Sequence, residues 1–275
     1  MGKFNLLITK LFDLILYPFG FVNPFWGVFF LSFISSIIVL IIYSKVSNPD
    51  KIKDAKDKIK GYILAIRIYR DHWKVLLISF FKSLLYTIKY FALNFGPILF
   101  ILPILFFVFA QMEMRYGYRP FHQGETTIVK IKFNNSVDIN NLNIKIKNNS
   151  PVKIEFPVYI DALNEIDYKM KVVADKTDFF KITINGKEYK KRVSINKKNH
   201  SKALGIRKYF VSTPATFLYP SEYEKIDNSD IKSISVKYPS YRINFLGTHW
   251  HWLIHYLLWT LIIVLAFKKK FGVEF

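Results

Sequence analysis

Residues 25–43 read FWGVFFLSFISSIIVLIIY, nineteen positions without a charge. At ~1.5 Å per residue, a helix of that length runs ~28 Å, close to the hydrocarbon thickness of a bilayer. A second uncharged run covers residues 90–112 and is interrupted by Gly96-Pro97 and Pro103. A third, residues 243–267, stops at Lys268-Lys269-Lys270. Each exceeds the length at which an apolar run reads as a membrane span rather than a helix of a soluble core. Three transmembrane helices are therefore expected.

Composition fits that division. The chain is 51% hydrophobic and 18% aromatic, which excludes a disordered chain. It has no cysteine, which excludes a disulfide framework, a Cys-ligated zinc site and a cysteine nucleophile. Lys and Arg outnumber Asp and Glu by 40 to 20, and the excess is not evenly spread. Residues 45–89 alone carry eleven Lys and Arg against four Asp.

Before the first run, residues 1–24 place Lys3, Lys10 and Asp13 on one helical face among Leu, Ile and Phe. This pattern suits an amphipathic helix lying in the membrane interface, with a cleaved leader as the alternative. Residues 45–89 are also periodic. Ile52, Ala55, Ile59, Tyr62, Ile66, Tyr69 and Trp73 step by three and four, as do Leu77, Phe81, Leu84, Ile88, Phe91 and Phe95. Such stepping predicts helix seams that pack on a neighbour, and the polar break at Asp71 divides them into an antiparallel helical hairpin. Asn48-Pro49 supplies a cap and a first helical residue.

Residues 113–242 change period. Alternating segments near positions 127–133, 142–146, 154–160, 166–172, 180–184, 189–195 and 234–238 predict short strands, and Asn185-Gly186 predicts a tight hairpin. A β-sandwich of roughly immunoglobulin size is expected, with lysines mostly on its outward positions. The fold class is thus membrane α + β. It comprises spans at 25–44, 90–112 and 243–267, a basic hairpin at 45–89, a β-domain at 113–242 and a tail at 268–275. The positive-inside rule puts hairpin and tail in the cytoplasm and the N-terminus and β-domain outside.

Signals for catalysis are nearly absent: there is no Gly-rich phosphate loop, nucleophile elbow or HExxH. His249, His251 and His255 have spacing that can serve a metal. Trp250, Trp252 and Trp259 around them instead describe interfacial anchors, so neither metal nor cofactor is expected. Polar groups in or near the spans are candidates for lining a shallow, partly hydrated groove open to the cytoplasm: Ser32, Ser35, Ser36, Lys82, Lys89 and Asn94. Close helix packing by the serines and snorkelling by the lysines are the plainer account of them. The basic hairpin suits anionic lipid or an acidic cytosolic partner such as ribosomal RNA.

The segments Ser47-Asn48-Pro49-Asp50-Lys51-Ile52-Lys53, Ala55-Lys56-Asp57-Lys58-Ile59-Lys60 and Ile66-Arg67-Ile68-Tyr69-Arg70-Asp71, with the proline-bearing span ending Gln111-Met112-Glu113-Met114-Arg115-Tyr116-Gly117-Tyr118-Arg119-Pro120, resemble the YidC/Oxa/Get insertase superfamily. The likeness is to its small branch related to the endoplasmic-reticulum membrane complex insertase subunit, over residues 1–112 and the last span. The whole chain also resembles a bacterial membrane-protein family with an exported β-domain. Tyr116 to Pro120 with Gly124-Glu125, Leu218-Tyr219-Pro220, His251-Trp252-Leu253 and Phe271-Gly272-Val273 carry that likeness. The superfamily resemblance implies an insertase or chaperone whose cytoplasm-facing hydrophilic groove admits the polar flank of a client segment. Two features depart from it: no Lys or Arg falls deep within a span, and a β-domain separates spans two and three. The alternatives are an assembly subunit that binds an envelope partner through its β-domain, and an ion-conducting or transport module.

Overall fold

A computed structural model describes residues 2–134, 137–146, 151–196, 199–211, 216, 222–224, 226 and 230–273. The chain consists of helices and mostly antiparallel sheets, an α+β architecture. It divides into two compact units: Met1–Val28 with Phe107–His255, and Phe29–Phe106 with Tyr256–Phe275.

The helices are α1 (Gly2–Ile15), α2 (Pro24–Val46), α3 (Pro49–Ile68), α4 (Trp73–Met112) and α5 (Trp252–Phe267). α3 starts as its sequence dictates. The Asn48 side chain accepts a hydrogen bond from the Lys51 backbone N–H, and Pro49 fills the first turn, where a missing donor costs nothing. α3 stops at Ile68, and α4 begins four residues beyond Tyr69, giving the expected helical hairpin.

Three expectations are corrected. The prolines do not interrupt the second apolar run: α4 continues through Pro97 and Pro103 for 40 residues, ~60 Å at 1.5 Å each. Each proline removes one N–H, but the remaining groups have no better partner than the helix itself when the surroundings are apolar. The third apolar run is not one helix. Its first residues form a tight hairpin of β10 (Ile243–Phe245) and β11 (Thr248–Trp250), turned at Leu246-Gly247, and only 16 residues remain helical. Two helices, α2 and α4, are long and apolar enough to cross a membrane.

The third correction concerns which face of α4 packs. Leu77, Phe81, Leu84, Ile88, Phe91 and Phe95 form the apolar seam in sequence, yet all six are exposed. The covered stripe is Leu76, Ser79, Ser83, Tyr86, Thr87, Tyr90 and Asn94. Tyr86 stacks on Tyr62 of α3 with centroids 5.7 Å apart, and Lys58 and Lys82 lie over these rings. The seam of α3 does turn inward at its start, where Ile52 and Ala55 are fully buried.

Unit one holds the β-domain. Its strands β1 (Thr126–Phe133), β3 (Val152–Ile160), β4 (Glu165–Val172), β7 (Arg207–Tyr209), β8 (Glu222–Tyr223) and β9 (Ile231–Val236) form a six-stranded sheet ordered β3-β4-β1-β9-β7-β8, with β7 and β8 parallel. A second sheet joins β2 (Ile144–Ile146), β5 (Asp178–Ile184) and β6 (Lys187–Val193). Both sheets feed one core, with Val129, Ile131, Ile166 and Met170 from the first and Phe180, Ile182, Ile184 and Tyr189 from the second. Strict alternation along β1 and β5 explains this, because residues two apart share a face. The β5–β6 turn is Asn185-Gly186, both at positive φ (46° and 81°), as the sequence predicts.

Candidate functional site

The most elaborate polar site lies in unit one and is built on α1. Asn5, Thr9 and Asp13 recur every four residues, so they share one face of that helix. Asn5 and Thr9 are buried, whereas Leu7, Leu11 and Leu14 of the same helix are exposed. The polar face is turned inward and the apolar face outward, the reverse of a water-soluble helix.

Arg115 is the reason. It sits in the π-helical turn Glu113–Gly117 that follows α4, and its side chain is wholly buried. Its Nε donates to Ser201 O at 2.7 Å, Nη1 to Gln111 O and Oε1 at 2.9 and 2.6 Å, and Nη2 to Thr9 O and Asp13 Oδ1 at 3.1 and 2.5 Å. Five guanidinium protons meet five acceptors, which is what a buried arginine requires to offset desolvation. Gln111 Nε2 donates to Thr9 Oγ1, Asn5 Nδ2 donates to Thr216 O, and the Phe12 ring lies 5.8 Å from the guanidinium. The cluster clamps α1 to the end of α4 and to the loop bearing Ser201. With every guanidinium donor engaged inside the protein, the role of Arg115 is structural.

The residues that follow extend it. The Tyr116 hydroxyl lies against Gly27 of α2, where any Cβ would collide with it. Gly117 is equally constrained, since a Cβ there would stand 2.6 Å from the Glu113 carboxyl carbon. Arg119 forks onto Glu125 through two hydrogen bonds of 2.7 and 3.0 Å, closing a loop whose Gly124 takes a φ of 91°. The Arg119 bonds hold the Glu125 carboxyl down at about 2 against the upward push of burial, with help from the His122 backbone N–H. Of the residues singled out in the sequence, Tyr116 packs on Gly27, Gly117 on Glu113, and Arg119, Gly124 and Glu125 form the loop that follows. Leu218-Tyr219-Pro220 lies outside the described residues.

The histidine and tryptophan group separates into different roles. Trp250 is half-exposed, whereas Trp252 is buried and its indole N–H donates to Glu113 Oε2 at 2.8 Å. His255 is buried edge-on to Phe25 and beside Trp250, and His251 lies 3.9 Å from Glu113. Among the described residues, no three His, Asp or Glu groups gather as a metal site.

In unit two, the span serines are buried. Ser32 Oγ donates to Tyr256 O at 3.4 Å, and Ser36 Oγ donates to Ser32 O at 2.6 Å with Thr260 O at 3.5 Å, while Ser35 is buried beside them. Small hydroxyl residues here let α2 and α5 approach closely. Trp259 meets the edge of Phe29 in the same contact. Asn94 accepts from the Tyr43 hydroxyl and donates to Tyr90 O, linking α4 to α2. Lys82 and Lys89 stand over the Tyr62 and Tyr86 rings. The six candidates therefore divide into a serine line of α2 facing α5, an asparagine bridge and two lysines on the hairpin.

Sequence reasoning missed the Arg115 cluster as a site. The signal was present: Asn5, Thr9 and Asp13 on one face, and Gln111 and Arg115 four residues apart. It also missed Lys191 of β6, a lysine with no exposed side-chain surface, whose Nζ donates to Gly205 O and Glu222 Oε2, each at 2.5 Å.

No family model matches this chain, and no curated protein or solved structure does so either.

Proposed function

We propose that this chain is a multi-pass membrane protein acting as an insertase or chaperone for apolar segments of other membrane proteins. The observation that carries the reading is the inverted polarity of α1 and α4. α1 packs through Asn5 and Thr9, and α4 between Leu76 and Asn94 mostly through Ser, Thr, Tyr and Asn, while most Leu, Ile and Phe of the same stretches are exposed. Water selects against that arrangement, whereas lipid tails or an apolar client segment favour it.

In this reading α2, α4 and the shorter α5 cross a bacterial inner membrane. The basic hairpin and the lysine-rich tail face the cytoplasm, where Lys and Arg are retained. The N-terminus and β-domain face outside. The outward face of α4, from Leu77 to Phe95, receives the client's hydrophobic segment, and Lys82 and Lys89 along it attract acidic flanks or lipid phosphates. A ribosome at the hairpin and an envelope protein at the β-domain are the further partners of this reading. The work needs no nucleotide, because a lipid-facing surface lowers the barrier to moving a backbone through hydrocarbon.

Reconstitution in liposomes with a short single-span client tests it. Insertion above that into empty liposomes is expected, with photo-crosslinks from position 81 or 91 to the client; insertion equal to empty liposomes overturns the reading.

A specific observation favours a second reading, a membrane-anchored assembly subunit. The buried Ser32 and Ser36 line closes α2 on α5 instead of opening a polar groove. Copurification with a stoichiometric partner bound through the β-domain, without insertase activity, selects it.

A further inference from the structure

The β10–β11 hairpin carries an exposed leucine in a conformation that disfavours leucine. Leu246 has a φ of 49° and Gly247 a φ of 78°, a two-residue turn whose first position suits Asn or Gly. A Cβ in this left-handed region crowds the backbone, so Leu costs free energy there. Among the described residues nothing returns that cost, since Leu246 is 87% exposed. A strained residue that buries nothing points to contact with something outside the chain.

Its surroundings say what that is. Phe245, the neighbouring residue, stacks on Phe25 with centroids 3.4 Å apart, and Asn23 donates to Asn244 O at 2.9 Å. The hairpin is therefore fastened to the first turn of α2, and β11 runs directly into α5. α2 and α5 thus begin at this one place. Tyr17, Phe21, Val22, Trp26 and Trp250 are also exposed. No charged residue occurs from Leu14 to Ser44 or from Ile243 to Phe267. Aromatic rings at the ends of apolar helices, with the Glu113 carboxylate held by the Trp252 indole, match the headgroup boundary of a bilayer.

We infer that the Leu246–Gly247 turn dips into the lipid leaflet at which α2 and α5 begin, with Leu246 among the acyl chains and Trp26 and Trp250 at the headgroup boundary. The inference rests on the membrane reading above and adds a lipid contact made by the β-domain's last hairpin rather than by a helix. Leu246 works as a wedge that fixes how deep α2 and α5 start.

The chain contains no cysteine, so single labels are unambiguous. Full-length Leu246→Cys, Ile38→Cys in the middle of α2, and Lys187→Cys at the β5–β6 turn are labelled with bimane. Each is reconstituted in phosphatidylcholine–phosphatidylglycerol liposomes whose acyl chains are brominated. Quenching at 246 should approach that at 38 and exceed that at 187 by about fivefold. Quenching at 38 with 246 no different from 187 overturns the inference and leaves the membrane reading standing. No quenching at 38 removes the membrane reading and the inference with it. Leu246→Asn, which suits the turn, should melt in detergent at or above the parent temperature; a marked drop would mean that Leu246 serves packing within the protein and would overturn the assignment.

Discussion

Arg115 and Asp13, 102 residues apart in sequence, meet at 2.5 Å with the guanidinium wholly buried. One comes from the π-helical turn after α4, the other from the polar face of α1. The contact explains why a helix so rich in leucine presents its few polar residues inward: they complete the shell of a buried cation. Arg115→Met should destabilise the protein by about 3 kcal/mol, because Asp13 and Gln111 lose their donor, and Arg115→Lys should recover only part of that, lacking the planar fork. Thermal unfolding in detergent measures both. An Arg115→Lys variant as stable as the parent would show that the five-bond geometry is dispensable.

The ion pair of Arg119 with Glu125 predicts a pH dependence. The Glu125 carboxyl is held down from 4.5 to about 2 in the folded chain, so the unfolded state takes up the proton first as pH falls. Its stabilisation is therefore complete above about pH 5 and disappears as pH drops from 4.5 through about 2. The stability gap between the parent and Glu125→Gln should close across that window. A gap that stays constant would assign the effect to shape rather than charge.

Lys191 occupies an inward slot of β6 between Tyr189 and Val193, where burial lowers its pKa against the opposing pull of Glu222. Lys191→Met alone should cost about 3 kcal/mol by leaving Glu222 half-paired with Arg192, while Lys191→Met with Glu222→Leu should cost about 1 kcal/mol or less. Chemical denaturation of the two variants reads the difference. Equal losses would mean that the pair contributes net stability.

Gly27 and Tyr116 make a steric prediction. Gly27→Ala should cost about 1–3 kcal/mol, because the methyl meets the Tyr116 hydroxyl. That hydroxyl is buried without a hydrogen-bond partner among the described residues, so Tyr116→Phe should be close to neutral and should rescue part of the Gly27→Ala loss. Additive effects in the double variant would place the strain elsewhere.

The inverted α4 gives a comparison of two faces. Ser79→Leu, on the covered stripe, should lower the melting temperature in detergent, whereas Phe81→Ser, on the exposed face, should leave it nearly unchanged. The opposite ranking would restore the apolar seam as the packing surface.

The element types were readable from the chain. Uncharged runs announced α2 and α4, period-two alternation announced β1 to β6 and β9, and Asn48-Pro49 and Asn185-Gly186 marked a helix start and a hairpin. The short strands β7, β8, β10 and β11 carried too few residues for any period to register. The proline-bearing run read as interrupted because proline breaks helices in water, where a freed carbonyl can be hydrated. The seam of α4 read backwards for a related reason. A 3-4 stripe reveals that a helix has two faces, but not which one meets protein when the medium outside is also apolar.

The sequence by itself determined the type of the longer elements, α2 to α4 and most of the longer strands, because period, caps and turn residues are local properties of neighbours; it misread residues 243–250, which form β10 and β11, as the start of a span. It also determined that the apolar residues gather in runs. Only the tertiary structure decided that Asp13 belongs to Arg115, that Lys191 lies inside a sheet core, that Trp252 serves Glu113 and that the serines of α2 close on α5. Those pairings depend on long-range approach, and a charge or hydroxyl in sequence has the same identity whether it meets water, lipid or a partner a hundred residues away. Burial and partner set its energy, and both are properties of the fold.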